Sequence, residues 1–288
     1  MLQFLEIVLA ALSVYAVLAA LAWRFQDRIA FPSPRGPLPV PAPLGLEDVE
    51  PVTLKLRDGT RLAGWYLPPM GGGRGGTESD TDGRGPPQPV PGLLWFYGNG
   101  ETIGAIWPVL RDFRPSGTAI LVVDYPGYGA SEGRASEAAL YEAADLAYAT
   151  LVARAGIDPA RVHVYGRSLG TVVATHVAVT HTVAGLVLES PFTNALEMSR
   201  RHYALFPGFL IRLRLDNLDL IRDVRCPVLV FHGTDDWLVP LDMGRRVAAA
   251  APGPVELVLI DGAGHNDTYA VGGTAYRDRV WDFLRAKR

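Results

Sequence analysis

Gly166-Arg167-Ser168-Leu169-Gly170 sets a serine between two glycines, directly after an apolar run (161–165) and before a helix-forming stretch (169–179). A strand-to-helix turn this tight leaves no room for side chains two residues either side of the serine, and it pushes the hydroxyl out of the chain. The following helix aims its amides, with their partial positive charge, at the same point. Such a hydroxyl can attack an acyl carbonyl if a base takes its proton. A lone G-x-S-x-G is a weak signal, because glycine and serine are common in loops. A strand before it, a helix after it and partners downstream make it specific, and Ser168 is expected to be the nucleophile.

The partners of such a serine follow in the chain order acid, then histidine, each in a loop beyond a strand. The stretch PVLVFHGTDDWLVP supplies Asp235 and Asp236, and VELVLIDGAGHND supplies His265. Asp236 is the better acid, because the pattern H-G-x-x-D-x-x-V-P falls on His232, Gly233, Asp236, Val239 and Pro240; Asp235 is the alternative. Glu189 and Asp261 also stand at strand ends, Glu189 on an earlier strand. Of six histidines, His163, His176, His181, His202 and His232 lie in or beside predicted elements, and His265 alone sits in a glycine-flanked loop after the last core strand. His265 would take the proton of Ser168 while Asp236 fixes the imidazole tautomer and stabilises the imidazolium. An oxyanion would be held by two backbone amides, that of Leu169 and one from the loop Tyr97-Gly98-Asn99-Gly100, where Asn99 is the choice. An ordinary strand-to-helix turn is the plainer reading of that loop.

These residues need a rigid frame. Apolar runs at 93–97, 119–125, 161–165, 184–189, 227–232 and 255–260 alternate with helical stretches, most clearly 136–155, 169–179, 242–251 and 276–286. Buried strands alternating with helices predict an α/β domain with a mostly parallel sheet covered on both faces. Two further strands, 50–56 and 61–67, flank the turn Asp58-Gly59 and are expected at an antiparallel edge.

The N-terminus is of another kind. Residues 7–23 read IVLAALSVYAVLAALAW, and with Leu2, Phe4 and Leu5 the apolar stretch reaches the length of a membrane-spanning helix. A cleaved signal peptide competes: Ala20-Leu21-Ala22 resembles a cleavage site, but no Lys or Arg precedes the apolar run. Arg24, Arg28 and Arg35 follow it and would keep the C-terminal side cytoplasmic. The expected order is a transmembrane anchor (1–24), a Pro-rich linker (25–46) that is either a stalk or a plain irregular connection, and the catalytic domain (47–288). Residues 70–92, rich in glycine, proline and polar residues, are expected to be a disordered insertion.

Taken together, YGNG (97–100), DYPGYGASEG (124–133), GRSLG (166–170), ESPFTN (189–194), HGTDDWLVP (232–240) and GAGHND (262–267) resemble the α/β-hydrolase superfamily. The nearest likeness is to membrane-anchored α/β-hydrolase-domain proteins, which include lysophospholipases and protein depalmitoylases, and to their bacterial relatives. The resemblance implies the α/β-hydrolase fold and hydrolysis of acyl esters or thioesters with no metal or organic cofactor. Tyr97 departs from it, because the family usually has His before the oxyanion glycine. In related folds an insertion such as 192–225 forms a lid; here its apolar residues would line an acyl pocket and Arg200, Arg201, Arg212 and Arg214 would face lipid headgroups. A short helical connection with a solvated basic face is the competing reading.

The remaining counts narrow the alternatives. A net charge of -3 lacks the basic excess of a nucleic-acid binder, so no nucleic-acid partner is expected. One cysteine, Cys226, can form no internal disulfide. A serine peptidase of the same fold and a non-catalytic hydrolase-like binding protein remain the rival functions, and the sequence does not speak to oligomeric state.

Overall fold

Strands apolar at every position demand cover on both faces. The computed structural model, which describes residues 1–70, 89–114 and 117–286, provides it. Among the described residues a single sheet contains β1 (Glu50–Lys55), β2 (Arg61–Leu67), β3 (Val90–Phe96), β4 (Ala119–Val123), β5 (Ile157–Arg167), β6 (Gly185–Glu189), β7 (Val228–Gly233) and β8 (Val255–Ile260). Their order is β1-β2-β4-β3-β5-β6-β7-β8. The two N-terminal strands form the antiparallel edge, β1 on β2 and β2 on β4, and every other pairing is parallel.

The helices are α1 (Leu2–Arg24), α2 (Gln26–Ala30), α3 (Ile103–Phe113), α4 (Glu137–Val152), α5 (Leu169–Thr180), α6 (Ala195–His202), α7 (Asn217–Leu220), α8 (Leu241–Ala250) and α9 (Thr268–Arg285). Strand alternation divides the side chains between two layers. Trp95 and Tyr165, stacked 3.8 Å apart, meet Phe113 of α3, and Phe113 in turn meets Tyr276 of α9. Gly92 faces the opposite way, against Leu151 of α4, which packs beside α5. The buried carboxyl ends of β5, β7 and β8 therefore open at one rim, where the loops carrying chemistry can meet.

Several elements differ from those expected, β5 among them, which runs from Ile157 to Arg167 rather than over 161–165 alone. β3 starts at Val90, so the last residues of the span 70–92 belong to the sheet; residues 71–88 of that span lie outside the described residues. α3 was not distinguished in the sequence, because Pro108 in its interior reads as a breaker. The last helix begins at Thr268 rather than near Tyr276, bending at Gly273, whose φ is 55°.

The segment after the apolar helix is not a free linker. Phe31 and Leu46 are both in the main core, 3% and 1% exposed. Arg35 donates to the carbonyls of Ser131 and Gly133, and its backbone bridges to Gly129. Prolines interrupt regular structure along this stretch, but the apolar and cationic residues between them fasten it to the domain. Burial of Phe31 alone contributes about 1.5–3 kcal/mol. A chain starting at Leu46 should therefore melt roughly 5–10 °C below one starting at Phe25, as read by circular dichroism. Equal melting temperatures would show that residues 25–45 pack without stabilising.

Candidate active site

The turn from β5 into α5 is as tight as its glycines require. A Cβ on Gly166 would lie 2.3 Å from the Gly170 carbonyl oxygen, and one on Gly170 would lie 2.2 Å from that of Phe96. Ser168 itself takes φ 49° and ψ -114°, a conformation that costs about 1–3 kcal/mol in a non-glycine residue. The turn is held by the Ser168 amide donating to the Glu189 carbonyl (2.9 Å) at the end of β6.

Ser168 Oγ lies 2.9 Å from His265 Nε2, and His265 Nδ1 lies 2.8 Å from Asp236 Oδ2. Donation from Nδ1–H to the carboxylate leaves Nε2 bare, so the serine hydroxyl donates to it. Asp236 and His265 are both buried, whereas Asp235 lies on the exposed side of its loop. Of the two neighbouring carboxylates it is thus Asp236 that reaches the imidazole. Its other oxygen accepts from the amides of Leu238 (3.1 Å) and Val239 (2.8 Å). Burial pushes the Asp236 carboxyl up, but the His265 hydrogen bond and charge and the Val239 amide more than offset it, holding the group below its usual range. Burial lowers the pKa of His232, and its Nε2–H donates to the Val239 carbonyl (2.9 Å), bracing the turn that carries Asp236.

Leu169 and Asn99, the two residues expected to supply oxyanion amides, line one cavity together with Ser168. Leu169 begins α5, so its N–H has no partner within the helix. Asn99 is held from both ends of its side chain: Nδ2 donates to the Ala30 carbonyl (2.7 Å), and Oδ1 accepts from Tyr128 (2.6 Å). Tyr97, the departure from the family pattern, is fully buried. Its hydroxyl donates to Asp124 Oδ1 (3.0 Å) and accepts from the Tyr125 amide (3.0 Å). The same Asp124 oxygen accepts from the Ile103 amide at the start of α3 (2.9 Å), so Tyr97 pins the loop from beneath.

The sequence does not mark the positioning roles of Arg167 and Glu189. Arg167 Nη1 donates to Glu101 (2.6 Å), while Nη2 donates to the His265 carbonyl (2.9 Å) and to Asn266 Oδ1 (3.0 Å). Its Nε lies 3.4 Å from Glu189. Glu101 in turn accepts from the Gly98 amide (2.6 Å). Glu189 is buried and also accepts from the hydroxyls of Tyr165, Thr268 and Tyr276. One guanidinium therefore joins the loop after β3, the turn at Ser168 and the loop that carries His265. Burial works against its charge, but Glu189 and Glu101 outweigh that and raise its pKa. The available signal was a charge on each side of the motif: an arginine before the serine and a glutamate closing an apolar strand.

The remaining histidines stand apart. His176 and His181 both reach Asp145, at 3.1 and 2.8 Å, and stack on Tyr141 and Tyr148. His163 is buried against Phe283. His202 contacts the Leu238 carbonyl (3.0 Å) at the edge of the site.

Above Ser168 lies a cavity of about 540 Å³ with mostly apolar walls. Phe192, Met198 and Phe206 come from the cap region, Leu238 from the acid loop, and Trp23, Ile29 and Pro32 from the end of α1 and the segment beyond it. Gln26, buried between these walls, donates to the Leu210 carbonyl (2.9 Å) and accepts from the amides of Arg212 (2.6 Å) and Leu213 (3.0 Å). The N-terminal helix and the cap thus share one cavity.

Fold and site together define an α/β hydrolase, and the chain belongs to the α/β-hydrolase superfamily. The profile described as Alpha/beta hydrolase family matches residues 90–218. An uncharacterized protein of Mycobacterium tuberculosis is 34% identical over 284 residues, covering 95% of each chain. Alpha/beta hydrolase domain-containing protein 17B of Homo sapiens is 34% identical over 196 residues, which is 67% of this chain and 65% of that protein. In fold, the chain is similar to the Pyrococcus furiosus esterase Pf2001, with a TM-score of 0.68 at 20% identity, covering 88% of this chain and 98% of the esterase.

Replacing Arg167 by Met would leave Glu189 as an uncompensated buried charge, a loss on the order of 3–5 kcal/mol. The melting temperature should fall by roughly 10 °C. Calorimetry showing a change below about 2 °C would mean that the three loops are held without this ion pair.

Proposed function

We propose that the chain is a serine hydrolase of carboxylic esters or thioesters with an apolar acyl group, tethered to a membrane by α1. The observation that carries the reading is the line Asp236–His265–Ser168, ending in a hydroxyl at the floor of an apolar cavity. Ser168 Oγ attacks the acyl carbonyl as its proton passes to His265 Nε2. The carbonyl oxygen takes up negative charge against the amides of Leu169 and Asn99, helped by the N-terminus of α5. Collapse of the tetrahedral intermediate breaks the bond to the alcohol or thiol, which leaves with the proton from His265. A water, deprotonated by His265, then cleaves the acyl-enzyme and restores Ser168. Asp236, ionised and fixed by two amides, stabilises the imidazolium at both stages.

An apolar cavity of about 540 Å³ suits an alkyl chain better than a peptide backbone, whose amides would find few partners there. α1 is 23 residues long with mean hydropathy 2.3 and is solvent-exposed along almost its whole length, unlike a core helix. This supports the anchor reading, with the hydrolase domain (47–288) and the packed segment 25–46 on the side of Arg24. The cap spans 192–225.

A fluorophosphonate probe should label the intact chain and fail to label Ser168→Ala, which should also lose ester hydrolysis while keeping its melting temperature. Residual turnover above a few per cent would exclude Ser168 as nucleophile. Replacing Asp236 by Asn should lower kcat by on the order of 10⁴-fold, while Asp235→Asn should change it by less than about threefold. The reverse order would assign the acid to Asp235.

A further inference from the structure

We propose that residues 203–211 of the cap are immersed in the acyl region of the bilayer beside α1, so that the cavity over Ser168 opens to the lipid phase and receives its acyl substrate from the membrane. This rests on the reading of α1 as a spanning helix.

The first observation is a depth. Tyr15 Oη donates to the Leu205 carbonyl (2.8 Å). Tyr15 lies nine residues before Arg24, the last residue of α1, which at 1.5 Å per residue is about 13 Å along the axis. Helical side chains lean toward the N-terminus, so the contact is no shallower than the Tyr15 backbone. A hydrocarbon layer is about 30 Å thick. If α1 crosses it and ends near Arg24, a loop that touches α1 at Tyr15 lies well inside the layer.

The second is composition and exposure. YALFPGFLI (203–211) holds no charge, and it is bounded by Arg200, Arg201 and His202 on one side and Arg212 and Arg214 on the other. Leu205 and Phe209 are 83% and 84% exposed, an expensive arrangement in water for a run this apolar. Basic residues on both sides of a submerged loop lie at headgroup depth, where cations are favoured. Arg212 marks that level: its guanidinium sits 4.7 Å over the Trp23 ring and donates to the Trp23 carbonyl (3.0 Å). Trp23 is at the end of α1, where tryptophan prefers the membrane interface.

The third is the backbone. Main-chain polar groups enter hydrocarbon at lower cost when paired, and several in this loop are. Within the loop, the amides of Phe206, Leu210 and Ile211 donate to Tyr203, Pro207 and Gly208. The Leu205 carbonyl accepts from Tyr15, and the Leu210 carbonyl accepts from Gln26. Pro207 has no N–H to satisfy. The inner side of the loop, at Tyr203, Phe206 and Leu210, lines the cavity, and Ala22 and Trp23 of α1 line it opposite. The passage between them leads from the lipid toward Ser168.

The test uses the full chain in vesicles of phosphatidylcholine and phosphatidylglycerol. Single cysteines replace Leu205, Phe209 or the distant, exposed Lys55 in a Cys226→Ala background, each labelled with an environment-sensitive fluorophore. Labels at 205 and 209 should be quenched by spin-labelled acyl chains and shielded from aqueous iodide, and the label at 55 should behave oppositely. In parallel, Leu205→Asp/Phe209→Asp should lower hydrolysis of a long-chain ester presented in vesicles by on the order of tenfold or more. Hydrolysis of a water-soluble short ester should stay within about twofold, since neither side chain lines the cavity. Iodide quenching at 205 and 209 equal to that at 55, with the chain still resistant to carbonate extraction, would overturn the proposal and leave the anchor intact. Extraction by carbonate would remove the anchor and the proposal together. Equal loss of short-ester and vesicle-ester hydrolysis in Leu205→Asp/Phe209→Asp would show that the loop shapes the site rather than meeting lipid, and would likewise overturn the proposal.

Discussion

The turn at Ser168 is the constraint to which the surrounding structure conforms. A serine with positive φ between β5 and α5 is unfavourable in isolation. It persists because Gly166 and Gly170 let three backbone segments approach more closely than any side chain would allow, and because the Ser168 amide is tied to β6. The strand order follows the same logic. β5 sits centrally, so the loops after β3, β7 and β8 converge on one rim around it. The strain is thus spread over the sheet, and its return is a hydroxyl exposed at the start of a helix.

Around that turn, charge does the fastening. Glu189 is buried and the Arg167 side chain is only 14% exposed, which would be costly for either charge alone. Each has enough hydrogen bonds to offset its lost hydration, and the bonds run to different loops. Electrostatic fastening of this kind gives a defined relative position to elements that share few apolar contacts. Tyr97 with Asp124 and His232 with Val239 repeat the arrangement on a smaller scale, each buried polar group bracing one loop.

The sheet, the antiparallel edge and the grouping of Ser168, Asp236 and His265 were legible because each rests on a short local pattern: a continuous apolar run, a glycine-framed serine, a histidine in a loop after the last strand. The preference for Asp236 over Asp235 rests in the sequence on the H-G-x-x-D-x-x-V-P pattern, and in the structure it is Asp236 that lies 2.8 Å from His265 Nδ1, held by the amides of Leu238 and Val239. Arg167 looked like an unconstrained position in its motif, because its partners at 101, 189, 265 and 266 are remote in the chain. The packing of segment 25–46 is hidden for a related reason. Its prolines give the composition of a spacer, and nothing local marks Phe31 as a core residue or Gln26 as a bridge.

Gln26 has a consequence for modularity. A tether that only held a hydrolase near a surface could be exchanged for any other of similar length and hydrophobicity. Here the residues closing α1 supply part of the wall over Ser168, and the side chain just beyond them bonds the backbone of the opposite wall. Swapping in a foreign helix, or shedding the native one by proteolysis, would reshape the space over Ser168. On the proposed reading, address and selectivity are written in the same few residues, so a change in one alters the other.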